Sequence, residues 1–280
     1  MWQGDIVFQA PGSQVPKRAV MTSRHSPAWS SRCAFLLVCL ALLGSTVWAQ
    51  NRGKDVEVYQ WNGNGFSIVP GALASRVAVG PTGALWIIRA NGQIYRKVRD
   101  GFRRVPGTAL DIAVGGDGSA WIIGDDGGVY RWTGRIWDPY MVTGVAISVD
   151  EDGDPWIVNN SGQILRWDAD SERFVSMAGV AARDISAESS VWTIGRDGGI
   201  RELQANGRFS AVRGSGVRVS AGANGQAWVV NEAGEIYRWN GNQFERIAGS
   251  AVDVTSNARG DVFVVGVPVE DDRRAKPRRR

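Results

Sequence analysis

Beyond residue 39 the sequence has neither cysteine nor histidine: Cys33, Cys39 and the single His25 all fall within the first forty of 280 residues. A disulfide framework, a Cys/His zinc site, a Cys–His pair and a Ser-His-Asp triad are therefore excluded from the main body. Apolar residues nowhere recur at a helical period, so helices are not expected. The 36 glycines, about one residue in eight, follow no Gly-X-Y period, which excludes collagen. A hydrophobic content of 44% excludes wholesale disorder. Abundant glycine beside 13 tryptophans is expected of short aromatic-bearing strands joined by tight turns.

No apolar run reaches the ~20 residues of a membrane span. Residues 33–49 come nearest, running from Cys33 to Ala49 behind Arg24 and Arg32. Small residues at Val47 and Ala49 fit a signal-peptidase site, so residues 1–49 are expected to be a leader, with translation starting at Met1 or Met21 and cleavage before Gln50. Export follows, to the periplasm or beyond the cell. Residues 50–267 then carry 22 basic and 24 acidic side chains, while 268–280 hold six and three. The net charge of +4 thus belongs to the chain ends. Without a basic stripe on the body, nucleic acid is not an expected partner. The Arg-rich end, 268–280, is expected to be a disordered tail.

One period organises the rest. Trp86, Trp121, Trp156, Trp192, Trp228 and Phe263 are spaced 35, 35, 36, 36 and 35 residues apart. Gly71, Gly107, Gly144, Gly179, Gly214 and Gly249 keep step at 36, 37, 35, 35 and 35. Each repeat resolves into four strands, here a to d. Strand a carries a small residue at its centre, as in Ile112-Ala113-Val114 and Ile147-Ser148-Val149. Strand b is apolar without alternation, as in Trp86-Ile87-Ile88, so both of its faces are expected to be buried. Strand c alternates, as in Ile236-Tyr237-Arg238-Trp239, and strand d runs from an aromatic residue to the periodic glycine. Asn91-Gly92, Asp117-Gly118, Asp126-Gly127 and Asn224-Gly225 supply hairpin turns.

Flat units that are apolar on both faces can bury those faces only against one another. Small residues on strand a place that strand at a crowded centre. The expected fold is all-β: a six-bladed β-propeller of four-stranded blades. The last repeat has only its a and b strands (252–256 and 262–267). The stretch from Val56 to Gly71 offers an unpaired c and d, so the N-terminal strands are expected to complete the last blade and close the ring.

The unit Ala-x-Asp-Ile-Ala-Val-Gly-x-Asp-Gly-x-x-Trp-Ile-Ile, followed by Tyr-Arg-Trp and an aromatic-to-glycine strand, is clearest at 109–144. It resembles the tectonin β-propeller repeat, and the resemblance spans residues 56–267. That family includes tachylectin-like lectins, which implies carbohydrate binding on cell surfaces, and adaptors, which implies protein contacts. The fourth repeat departs from the pattern. Ile185 and Trp192 are seven residues apart rather than nine, and Arg201-Glu202-Leu203 replaces Tyr-Arg-Trp. If equivalent pockets recur around a ring, this blade is expected to lack one.

The loops joining strands b and c carry Asn91, Asp126, Asn160, Asp197 and Asn231. Their short amides and carboxylates suit sugar hydroxyls, and equally suit tight turns. Trp132, Trp167 and Trp239 on strand c either stack sugar rings or pack between blades. Arg96, Arg131, Arg166 and Arg238 are expected to lay their stems over neighbouring blades. In Asp150-Glu151-Asp152-Gly153-Asp154 a calcium loop is not expected, because Pro155 stands where glycine is needed. No metal, cofactor or catalytic residue is expected, since the acids visible to the eye are repeated turn acids. The expected function is an exported, monomeric, non-enzymatic protein that binds glycan or surface polysaccharide through propeller-face loops. The alternative is a protein-interaction scaffold in the cell envelope.

Overall fold

The structure, a computed structural model, describes residues 54–99 and 101–267; the expected leader and tail lie outside them. It is all β apart from one 3-10 turn at Ala223–Gly225. Strands β1 (Val56–Trp61) and β2 (Phe66–Ala74) form an antiparallel hairpin. The next antiparallel group is β3 (Arg76–Val79), β4 (Leu85–Ile88), β5 (Gln93–Val98) and the first half of β6 (Gly101–Val114). The second half of β6 opens the following group with β7 (Ala120–Gly124), β8 (Gly128–Trp132) and β9 (Trp137–Thr143).

Two self-contained four-stranded sheets follow. One holds β10 (Ala146–Val149), β11 (Pro155–Val158), β12 (Ile164–Asp168) and β13 (Arg173–Met177). The other holds β14 (Ala182–Ser186), β15 (Trp192–Gly195), β16 (Gly199–Leu203) and β17 (Phe209–Ser215). The fifth repeat is β18 (Arg218–Ala221), β19 (Ala227–Val230), β20 (Glu235–Trp239) and the start of β21 (Phe244–Ser256). The end of β21 pairs with β22 (Val262–Val267), and β22 pairs in turn with β1, placing Val58 opposite Val265. The chain is a β-propeller whose N-terminal hairpin extends the sheet of its C-terminal strands.

Burial follows the patterns in the sequence. Every residue of β4, β11, β15 and β19 is buried, as expected of a strand covered on both faces. Trp121, Trp192 and Trp228 are almost fully enclosed. Each such side chain removes on the order of 200 Å² of largely apolar surface from water, which drives neighbouring units together. Strand d is not punctuated from strand a in β6 or β21: the chain passes through Gly107 (φ 97°) and Gly249 (φ 134°) without leaving the strand. Glycine is required there because these backbone angles disfavour any side chain.

The inner strands are latched to one another by side chains accepting from the neighbouring backbone. Asp111 Oδ2 accepts from Ile147 N–H at 3.0 Å, and Ser148 Oγ from Ala187 N–H at 2.9 Å. Asp184 Oδ2 accepts from Val219 N–H at 2.8 Å, and Ser186 Oγ from Ala221 N–H at 2.7 Å. Ser220 Oγ accepts from Ser256 N–H at 2.8 Å, and Asp253 Oδ2 from Val77 N–H at 2.9 Å. An ion pair between Arg76 and Asp111 (3.7 Å) joins the first two repeats. The small residue expected at the centre of strand a is, in half the repeats, a serine that makes such a latch.

Candidate functional site

Four of the five expected site residues on the b–c loops, all but Asn160, are engaged with their own turns. Asn91 Oδ1 accepts from Gln93 N–H at 3.1 Å. Asp126 accepts from Gly128 N–H at 2.9 Å and from the Tyr130 hydroxyl at 2.6 Å. Those two bonds hold the Asp126 carboxyl below the usual carboxylate range. Asp197 accepts from Gly199 N–H at 3.0 Å and pairs with Arg201 at 2.8 Å; these contacts, Arg201 first, pull its pKa to about 2. Arg201 thereby does for the fourth repeat what Tyr130 does for the second. In the third repeat Asn159 makes the turn, accepting from Ser161 and Gln163 N–H, while Asn160 is exposed and offers its carbonyl to Arg196.

The strand-c tryptophans are half-buried and packed against aromatic rings of the preceding repeat. Trp132 lies edge-on to Trp86 at 6.3 Å, Trp167 edge-on to Tyr140 at 5.4 Å, and Trp239 tilted against Trp192 at 5.6 Å. The arginines of strand c do not reach over neighbouring blades. They sit over the tryptophan of their own: Arg96 on Trp86 at 5.6 Å, Arg131 on Trp121 at 5.5 Å, Arg166 on Trp156 at 5.6 Å and Arg238 on Trp228 at 5.9 Å. The reason is register, since each arginine is the cross-strand partner of that tryptophan. In the fourth repeat Glu202 stands opposite Trp192 and the cation is lost.

Asn231 belongs to a built site. Its Nδ2 donates to Glu235 Oε2 at 2.9 Å, the Tyr237 hydroxyl donates to the same oxygen at 2.8 Å, and Arg246 pairs with Oε1 at 3.1 Å. These donors, Asn231 first, hold Glu235 below its ordinary pKa and keep it ionised. Asn231 and Tyr237 line a cleft of about 630 Å³ between the fourth and fifth repeats. Arg213, Ser215, Asn242, Gln243 and Phe244 complete its polar and aromatic wall. The departing fourth repeat therefore borders a cleft rather than lacking one, because strand β17 still supplies Arg213 to Ser215. Glu235 was not among the expected site residues. Its position after the Asn231 turn, where Gln93 stands in the first repeat and Gly128 in the second, was the available signal.

A second polar centre lies on the axis. Asp111, Asp184 and Asp253 stand directly before Ile112, Ile185 and Val254 on the inner strands of alternate repeats and are all buried. They line a small cavity of about 60 Å³ together with Arg218. Arg218 donates to Asp184 at 2.9 Å and stands 3.6 Å from Asp253. Burial pushes Asp184 up to about 6, against the opposing pull of Arg218. Burial likewise raises Asp253 and lowers Arg76, whereas the carboxylates around Arg218 outweigh its desolvation and raise it. The acids are thus not confined to turns, contrary to the expectation from sequence. The β-bulges at Leu110, Arg183 and Val252, each just before one of these aspartates, aim them inward. Among the described residues no cluster of His, Cys, Asp or Glu has the makings of a metal site. Nor, among them, is any helix long and apolar enough to cross a membrane.

Residues 181–274 match the Tectonin domain family, the one the repeat unit resembles. No curated protein matches the chain. Among solved structures it is similar to that of U3-55K, with a TM-score of 0.53 at 13% identity over 72% of this chain and 74% of that one. The crystal structure of the RRP9 WD40 repeats is also similar, with a TM-score of 0.53 at 13% identity over 76% and 90%. At that identity the likeness concerns the fold, a β-propeller.

Proposed function

With a Tectonin-domain match at 181–274 as its premise, we propose that the chain is an exported, non-enzymatic binding protein that recognises carbohydrate in clefts between propeller blades. The propeller itself is six-bladed and closed. Its support is the pairing of β22 with β1, together with the latches and the Arg76–Asp111 ion pair that link each inner strand to the next. The cleft at Asn231 and Tyr237 carries the reading. It combines an aromatic wall, on which a sugar ring stacks, with amide, hydroxyl and guanidinium groups that satisfy hydroxyls in both directions. The tryptophans Trp132, Trp167 and Trp239 act in this reading as the packing behind such clefts rather than as stacking platforms. Export rests on the leader at 1–49.

A glycan array tests it. The protein is expected to retain a defined class of saccharide, without turning it over. Gln243→Ala and Tyr237→Ala are expected to weaken retention at least tenfold, while Asn91→Ala leaves it unchanged. Saccharide binding absent across the array, with a specific envelope protein captured instead, overturns the carbohydrate reading in favour of a scaffold. Four exposed apolar side chains favour that second reading: Met141 at 107% exposure, Ile136 at 61%, Leu110 at 52% and Val145 at 42%.

A further inference from the structure

The cleft at Asn231 and Tyr237 has one charged residue on its wall, Arg213, and no carboxylate lines it. Glu235, which Asn231 and Tyr237 hold, already has Arg246 as its counter-charge at 3.1 Å. Those two wall residues are largely spent. The Tyr237 hydroxyl and the Asn231 amide donate to Glu235, and Asn231 Oδ1 accepts from Ala233 N–H at 3.0 Å and Glu235 N–H at 2.9 Å. Arg213, by contrast, is in none of the ion pairs among the described residues. Its guanidinium donors are uncommitted, at the edge of a space that a ligand can enter.

An arginine in solvent is ordinary, but this one stands at an unusual place in the repeat. The residue before the periodic glycine is Pro70, Pro106, Thr143, Ala178 or Ala248 in the other repeats, and none of these is charged. Between the first and second repeats the same place is sealed, because the Trp137 indole N–H donates to the Pro106 carbonyl at 2.8 Å. Phe244 heads strand d of the fifth repeat as Trp137 heads that of the second, and has no N–H to give. A Cβ on Gly107 would lie 3.4 Å from Trp137, and one on Gly214 3.7 Å from Phe244. A seal is thus missing where a cation is added.

We propose that the sugar held in this cleft carries a carboxylate, as a uronic acid does, and that Arg213 grips it. The inference rests on the carbohydrate reading and names the class of sugar. A guanidinium presents parallel N–H groups that match the two oxygens of a carboxylate. Phe244 supplies an aromatic ring for the sugar, and Asn242 and Gln243 supply amides for its hydroxyls. One uncommitted cation balances one negative charge, which favours a carboxylate over a phosphate monoester of roughly twice that charge.

The test is titration calorimetry with the methyl glycosides of glucuronic, galacturonic and mannuronic acid. Each is set beside its own methyl ester, which keeps the ring and loses the charge, and beside the matching 6-sulfated hexoside. At least one acid is expected to bind about tenfold more tightly than its ester, with the preference shrinking as salt rises. Arg213→Gln is expected to remove the preference, and Arg213→Lys, which keeps the charge without the fork, to retain part of it. Arg208→Gln, in the turn before β17, is expected to leave it whole. Acid against ester on the unmodified protein decides if the variants fail to fold. Acid and ester bound alike, a sulfated sugar preferred to the acid, or full preference in Arg213→Gln overturns the proposal and leaves the carbohydrate reading standing. Binding of none of these sugars overturns it too, and the carbohydrate reading falls with it only if the glycan array is also empty.

Discussion

Glu188 stands where Gly80, Gly115 and Gly222 follow strand a in other repeats. Those glycines have no room for a side chain. A Cβ on Gly80 would come within 2.9 Å of Val114 Cγ1, and one on Gly115 within 2.6 Å of Val149 Cγ1. The fourth repeat, with its a–b loop two residues shorter, admits a glutamate instead. Glu188 accepts from Ala258 N–H at 3.2 Å and lines the small cavity of the inner strands. Burial, reinforced by Glu151 and Asp150, raises it to about 7. A raised acid binds its proton more tightly folded than unfolded, so stability falls as pH rises from the unfolded pKa to the folded one. Asp184 does the same only up to about 6. The melting temperature is therefore expected to drop by roughly 2–4 °C between pH 6 and pH 8. Glu188→Gln is expected to flatten that interval and to leave only the Asp184 share of the fall between pH 4 and 6. Calorimetry at five pH values checks it, and an unchanged slope in Glu188→Gln removes the assignment.

At the scale of strands, the sequence was legible wherever chemistry repeats in every unit. The unbroken apolar runs of β4 and β19 read as strands buried on both faces, and so they are. Asn91 and Asp126 read as turn residues or ligands, and their hydrogen bonds show the turn. The continuity of β6 and β21 was hidden, because a glycine at strand d's end reads as a stop. The axial aspartates were hidden for another reason. Asp111, Asp184 and Asp253 recur 73 and 69 residues apart, every second repeat, and a search at the single-repeat period averages them away. Ala109-Leu110-Asp111, Ala182-Arg183-Asp184 and Ala251-Val252-Asp253 are the pattern that marks them. These latches hold one unit to the next. Asp253→Ala is expected to cost about 3–5 kcal/mol, because Val77 N–H loses its acceptor and Arg218 and Arg76 lose a counter-charge. Asp253→Asn, which still accepts the hydrogen bond, is expected to cost less than half as much. Urea denaturation of the two variants separates the latch from the charge.

For the whole molecule, composition already indicated turns and aromatic cores, and the repeat gave them an arrangement. The periodic tryptophans form the interior between units, with Trp132 on Trp86 and Trp239 on Trp192. What a single repeat could not disclose is any feature made by two units together. The cleft at Asn231 draws Arg213 and Ser215 from β17 and Asn242, Gln243 and Phe244 from the fifth repeat. No spacing within one repeat links them. The hub of its polar network, Glu235, stands where other repeats carry Gln93 or Gly128, so a rule that seeks recurring residues passes it over. The candidate cleft is therefore a place where the repeat is broken, with Asn231 and Tyr237 on its wall held from behind by an acid that the other repeats lack. The central claim is that the cleft binds carbohydrate. Amide hydrogen exchange of the protein, with and without the saccharide best retained on an array, tests it directly. Protection gained at 213–215, 231–237 and 242–244 is the result expected. Protection confined to other loops, or none at a saturating concentration, would contradict it.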